Sequence, residues 1–166
     1  MISITLPDGS IRAFAPGTTP MEVAKNISEG FARNVISASF EGTTIETSTP
    51  LTTDGSLILY TWNDAEGKKA FWHSTSHVMA QVLEEMFPGI QLTLGPAIAN
   101  GFYYDVDFGD QKITEADFKA IESRILEISK EKHEFKMRAV TKAEALETYK
   151  DNVYKTELIS NLEDGT

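Results

Sequence analysis

Residues 2–6, Ile-Ser-Ile-Thr-Leu, alternate apolar and polar side chains, the period-2 pattern of a strand with one buried face. Pro7-Asp8-Gly9-Ser10 supplies a turn and Ile11-Arg12-Ala13-Phe14 resumes the strand, so a hairpin is predicted. Thr19 then stands as a helix cap, with Pro20 in the first helical position and Glu22 completing a capping box. Pro20, Val23, Ala24 and Ile27 make a short apolar stripe, and Gly30 is placed to end the helix. Strands are predicted at Val35–Phe40, Thr44–Glu46 and Leu57–Tyr60, separated by Glu41-Gly42 and Asp54-Gly55-Ser56. The order ββαβββ in roughly 60 residues predicts an α+β, ubiquitin-like β-grasp fold, one mixed sheet covered by one helix. Asp8 and Asp54 fall in turns, where Asp is favoured for its local hydrogen bonds, so this module offers no catalytic candidate.

Asn63-Asp64-Ala65-Glu66-Gly67 is a polar junction, which divides the chain into modules at 1–62 and 63–166. Asp64 can cap a long helix running to Phe87, where Pro88-Gly89 stops it. At ~100° per residue, Phe71, Trp72, Thr75, Val78, Val82 and Leu83 share one broad face with Met79 and Met86, while His73 and His77 lie with Ala80 and Glu84 on roughly the opposite side. Ile90–Leu94 alternates as a strand, residues 95–101 turn the chain, and Phe102–Phe108 returns with Phe102, Tyr104, Val106 and Phe108 on one face. Tyr103, Asp105 and Asp107 take the other. Thr114 and Asp117 form a capping box for a helix whose stripe is Phe118, Ile121, Ile125 and Ile128, and its charges from Lys119 to Lys132 read as a solvated face. Phe135–Val140 is predicted as a strand, Thr141–Glu144 opens a short helix, and residues 161–166 look like a turn.

The chemistry concentrates on the long helix. Histidines four apart share one face, as two metal ligands or two parts of a proton-transfer site would, and opposite the apolar stripe they do not pack in the same core. Spacing alone leaves a structural and a functional role equally open. Zinc needs three or four ligands, and the remaining histidine, His133, stands near the end of another helix; Ser74 occupies the place where a His-Glu-x-x-His motif has its glutamate. Any metal site here is therefore incomplete, or the site is metal-free. The returning strand admits two readings, a hairpin with a solvated acidic face or one that sets a tyrosine hydroxyl or carboxylate beside the histidines.

Composition narrows the classes. The 166 residues hold no cysteine, which removes disulfides and thiolate metal sites. With 25 acidic and 15 basic residues the net charge is −10, and no basic stripe of the kind that holds nucleic acid unaided is visible. No apolar run approaches the ~18 residues of a membrane span, and Met1–Gly9 lacks the basic start and apolar block of a signal peptide.

Several motifs together resemble one family. Ile4-Thr5-Leu6-Pro7-Asp8-Gly9-Ser10 is similar to the opening of a TGS domain, the β-grasp module of bacterial-type threonyl-tRNA synthetases. His73-Ser74-Thr75-Ser76-His77-Val78-Met79-Ala80 resembles the first motif of that family's editing domain, and Gly95-Pro96 and Asn100-Gly101-Phe102-Tyr103-Tyr104-Asp105 match the next signatures in order. Tyr154-Lys155 falls where the family carries a pocket lysine. TGS domains alone are weakly specific; their combination with His-x-x-x-His and Gly-Phe-Tyr-Tyr-Asp is highly specific, and the resemblance covers the whole chain.

The resemblance implies a TGS domain followed by a truncated editing domain of a cytoplasmic tRNA ligase that uses ATP to attach threonine and hydrolyses mischarged seryl-tRNA(Thr). It implies catalytic roles for His73, His77 and Lys155, with Gly95, Tyr104 and Asp105 lining the substrate pocket and the tRNA acceptor end as partner. ATP, magnesium and zinc are expected only in a catalytic domain outside these residues, as are the contacts of the family's homodimer; the chain alone is expected to be monomeric and off the membrane. Two departures stand out: Trp72 replaces the arginine that often precedes the first histidine, and the family's downstream Cys-x-x-x-His motif is not in these residues. A non-catalytic RNA- or protein-binding module is the competing reading.

Overall fold

The first alternation becomes β1 (Ile2–Thr5), paired antiparallel with β2 (Ile11–Phe14) from Ile2↔Phe14 to Thr5↔Ile11. In this computed structural model, which describes residues 1–133, 135 and 138–163, β5 (Gly55–Thr61) runs parallel to β1 and antiparallel to β3 (Val35–Phe40). β4 (Thr43–Ile45) closes the sheet, giving the order β2-β1-β5-β3-β4. Ile2, Ile4, Leu6, Val23 and Leu57 bury the face that the alternation predicts. Asp8 makes the expected local bonds, accepting from the N–H and hydroxyl of Ser10. Asp54 does more, since its Oδ1 accepts the Ser3 N–H at 2.8 Å and fastens the turn before β5 to β1.

α1 (Pro20–Ile27) starts on the expected capping box: Thr19 N donates to Glu22 Oε2 at 2.8 Å and Glu22 N to Thr19 Oγ1 at 3.3 Å. Its end differs from the sequence reading. Ser28 leaves helical geometry, and its hydroxyl accepts the Phe31 N–H at 3.0 Å, capping a one-turn α2 (Glu29–Ala32) that contains Gly30. A serine that can cap outcompetes a glycine two residues on that could only stop.

The chain divides into two compact units, Met1–Trp72 and His73–Thr166, with the division inside α3 (Ala65–Met86). In the first unit, Asp64 precedes α3 as expected and its backbone carbonyl accepts from Lys68 N. Its carboxylate turns backward, however, to the N–H and hydroxyl of Thr61 at 2.7 and 2.9 Å. Gly67 sits so close to the end of β5 that a Cβ there would lie 2.0 Å from the Thr61 carbonyl oxygen. Trp72 meets Trp62 and Phe71 edge-on, at centroid distances of 5.6 and 5.4 Å.

The second unit is built on the remainder of α3. Val82 and Leu83 are buried as predicted, but so are Ala80 (6% exposed), on the side assigned to the histidines, and Ser76 (1%), which the apolar pattern left unassigned. The buried surface of this helix wraps further round than the apolar pattern implies, because small residues let another segment approach there. Ile121 and Ile128 of α4 (Glu115–Glu131) join this core, while Phe118 is half exposed; the Thr114–Asp117 capping box is formed. The hairpin appears as two short ladders, β6 (Gln91–Leu92) with β9 (Val106–Asp107) and β7 (Ala97–Ile98) with β8 (Gly101–Phe102). Between them Thr93 N donates to Asp105 O and Asp105 N to Leu94 O, and regular pairing lapses around Gly95 and Tyr104. α5 (Lys142–Thr148) opens on its Thr141–Glu144 capping box. α6 (Val153–Ser160), unanticipated from sequence, follows. The strand expected at 135–140 falls partly on Lys136 and Met137, outside the described residues, and Phe135 and residues 138–140 are not in a strand. The expected terminal turn likewise includes 164–166, outside the described residues.

Candidate functional site

Helical spacing brings His73 and His77 together on the solvent-facing side of α3. Their Nε2 atoms are 3.1 Å apart and the rings meet at 81°. Two nitrogens at that distance share one proton: one ring donates and the other accepts, which fixes opposite tautomers. His77 is held below the ordinary histidine range, first by partial desolvation, then by the charges of His73 and Lys155. A neutral, accepting imidazole is thus favoured near neutrality, as a general base requires. Phe135 flanks the His77 ring at 6.4 Å.

The lapse in the hairpin meets the histidine helix at Ser76. A Cβ at Gly95 would lie 2.3 Å from two Tyr104 ring carbons, so only glycine lets that ring lie against the backbone. The buried hydroxyl of Ser76, between the two histidines in sequence, donates to the carbonyls of His73 (2.7 Å) and Gly95 (3.0 Å). The Tyr104 phenol is raised above the ordinary tyrosine range by burial, with the charges of Glu84 and Tyr149 adding to it.

Lys155 arrives from α6, which docks on the β6–β9 ladder through polar bonds. Asn152 Nδ2 donates to Leu92 O at 2.9 Å, Val153 N to Gln91 Oε1 at 3.0 Å, and Tyr154 Oη to Asp107 Oδ2 at 2.7 Å. Asn152 Oδ1 meanwhile caps α6 by accepting the Lys155 N–H. The ammonium lies 4.4 Å from the Tyr149 ring centroid. Burial pulls the lysine below its usual range, and the carboxylate of Glu84 opposes that shift.

Of the six residues singled out from sequence, the structure brings together His73, His77, Gly95, Tyr104 and Lys155. Asp105 is exposed, and it serves through its backbone bonds to Thr93 and Leu94. Ser76, Tyr149 and Glu84 were not picked out as site residues. Ser76 stood inside the motif, and Glu84 was placed on the histidine face, two turns from His77; nothing in the sequence pattern marks Tyr149. Among the described residues no three His, Asp or Glu side chains converge as a metal would require, so the histidine pair offers two ligands.

This geometry sits beside a consistent set of relatives. The TGS domain model matches residues 2–61. The chain is similar over its whole length to the threonine--tRNA ligase of Flavobacterium johnsoniae, with 87% identity over 166 residues, and to that of Flavobacterium psychrophilum, with 81%. The threonine--tRNA ligase of Parabacteroides distasonis is 51% identical over 168 aligned residues. In each case the chain spans 26% of the length of the relative it matches. End-to-end identity at this level, carried on a TGS domain, places the chain in the threonine--tRNA ligase family as its N-terminal 26%.

Proposed function

We propose that residues 63–166 contribute the hydrolytic editing site of a threonine--tRNA ligase, in which seryl-tRNA(Thr) made in error is deacylated, and that residues 1–62 form the TGS module that precedes it in the chain. The observation that carries this reading is the His73–His77 pair, open to solvent, with the charge of Lys155 acting on His77 and the Gly95–Tyr104 contact tied to the same helix through Ser76. The need for such a site is energetic: serine lacks one methyl group of threonine, worth only ~1–3 kcal/mol in a binding pocket, so a second, hydrolytic sieve is required.

The chemistry is ester hydrolysis. The accepting imidazole takes a proton from water as its oxygen attacks the seryl carbonyl carbon. The carbonyl–ribose C–O bond then breaks, and the proton is returned to the ribose oxygen. Lys155 offsets the negative charge that develops on the carbonyl oxygen, a role favoured by its partly dry setting. Tyr104, its phenol kept protonated, donates a hydrogen bond at the pocket wall. ATP, magnesium, zinc and the attachment of threonine belong to parts of the ligase outside these residues, and the acceptor end of tRNA(Thr) is the partner.

The test is hydrolysis of seryl-tRNA(Thr) by the complete ligase, its His77→Ala variant and this chain alone. Loss of deacylation in the variant, with aminoacylation intact, is the expected outcome. A His77→Ala ligase that still deacylates at the parental rate refutes the assignment. The chain alone is expected to be nearly inactive, because the Cys-x-x-x-His motif of the resembling family lies outside it; efficient deacylation would place the whole apparatus within residues 73–155.

A further inference from the structure

We infer that Ser76 is a positioning residue of this site, holding the Gly95–Tyr104 wall against the histidine helix. The inference rests on the editing reading above and adds a residue to it.

Ser76 is 1% exposed, so its hydroxyl has no access to water and must find its partners in the protein. A hydroxyl carries one proton. Here two carbonyls share it, that of His73 one turn back and that of Gly95, nineteen residues on in the chain. A serine satisfied by its own helix needs only the first bond. The second reaches outside the helix and lands on the residue whose missing Cβ admits the Tyr104 ring. The order of contacts is therefore histidine helix, Ser76 hydroxyl, Gly95 backbone, Tyr104 ring. His73 and His77 flank Ser76 in sequence, so displacing the Gly95 loop changes the distance between the phenol and the imidazoles without touching either.

The experiment compares Ser76→Ala and Ser76→Thr with the parent and with His77→Ala, all in the complete ligase, by seryl-tRNA(Thr) deacylation and aminoacylation. Ser76→Ala is expected to lose on the order of tenfold in deacylation, as for one buried hydrogen bond with its carbonyl left unpaired. Aminoacylation should be unchanged, and Ser76→Thr, which keeps the hydroxyl, should recover most of the loss. Parental deacylation in Ser76→Ala overturns the inference, as does an equal loss in Ser76→Thr or a parallel loss of aminoacylation, each of which reduces Ser76 to packing. Failure of the editing reading itself would show separately, as an active His77→Ala ligase.

Discussion

Gly95→Ala puts the wall of the site to a quantitative test. The added methyl would lie 2.3 Å from Tyr104 Cδ2 and Cε2 and 3.0 Å from Cγ. Ordinary carbon–carbon contact is about 3.5–4.0 Å, so ring and backbone must part by at least about 1.2 Å. Gly95 does not have a positive φ, so the backbone accepts alanine and the cost is steric alone. Overpacking of this kind costs about 1–3 kcal/mol, and alanine returns about 0.4–1 kcal/mol by restricting the unfolded chain. Tyr104 is half-buried and can swing toward solvent, which favours the lower part of that range, a net loss of about 1 kcal/mol. For a unit of this size the melting temperature should fall by roughly 4–8 °C. A phenol displaced by about 1 Å can cost on the order of a hundredfold in rate. Deacylation should thus fall far more than stability explains, with the protein still folded at the assay temperature. Thermal unfolding and seryl-tRNA(Thr) hydrolysis on the same preparation of the complete ligase decide it: an unshifted melt with parental hydrolysis refutes the close approach and its role together.

Gly67→Ala tests the start of α3: alanine gains about 1 kcal/mol of helix propensity, yet its Cβ would meet the rigid Thr61 carbonyl, so a net destabilisation of roughly 2 kcal/mol in urea unfolding is expected. His77 is depressed in the fold, so stability is fully present above its ordinary value of 6.5 and declines as pH falls below it; His77→Gln should flatten that decline in denaturant titrations between pH 7.5 and 5.5. Tyr154→Phe removes the largest cause of the lowered Asp107 pKa, so carboxyl NMR should find Asp107 titrating higher. Asp107 then gives up part of a contribution that is present above 3.8 and lost as pH falls through its folded value. Lys155→Ala should let the His77 titration move up, since the lysine charge is one of the causes of its depression.

What the sequence made legible follows from which force builds each element. β1 and the core of α3 bury apolar side chains at regular spacing, and those patterns are visible residue by residue. The three capping boxes at Thr19, Thr114 and Thr141 are local in sequence and equally readable. α2 was missed because Ser28 and Gly30 send opposing signals two residues apart, and only packing chooses between them. The break at Tyr104 was missed because unbroken alternation from Phe102 to Phe108 reads as one continuous strand, whereas Gly95 was read correctly as leaving the strand, into a turn that itself pairs as β7 and β8.

α6 shows why the site was harder to read than the fold. No buried residue lies on it, so it carries no apolar stripe to betray it. It is held instead by hydrogen bonds from Asn152, Val153 and Tyr154 to Leu92, Gln91 and Asp107, partners 47 to 62 residues away. Single-sequence periodicity has no access to such pairs, although they are what bring Lys155 into the neighbourhood of His77 and Glu84. The histidine face of α3 was obscured in a related way, because Ala80 is small and was placed opposite the apolar stripe, and the apolar pattern gives Ser76 no place. Ala80 is buried in the apolar core of the unit, and Ser76 is buried where its hydroxyl donates to the Gly95 carbonyl, beside a ring that lies close only because Gly95 lacks a Cβ. The functional side chains are therefore positioned by the least hydrophobic contacts in the unit. Substitutions at Asn152, Ser76 or Gly95 should accordingly disturb chemistry well before they disturb folding, whereas Val82 and Leu83 should do the reverse.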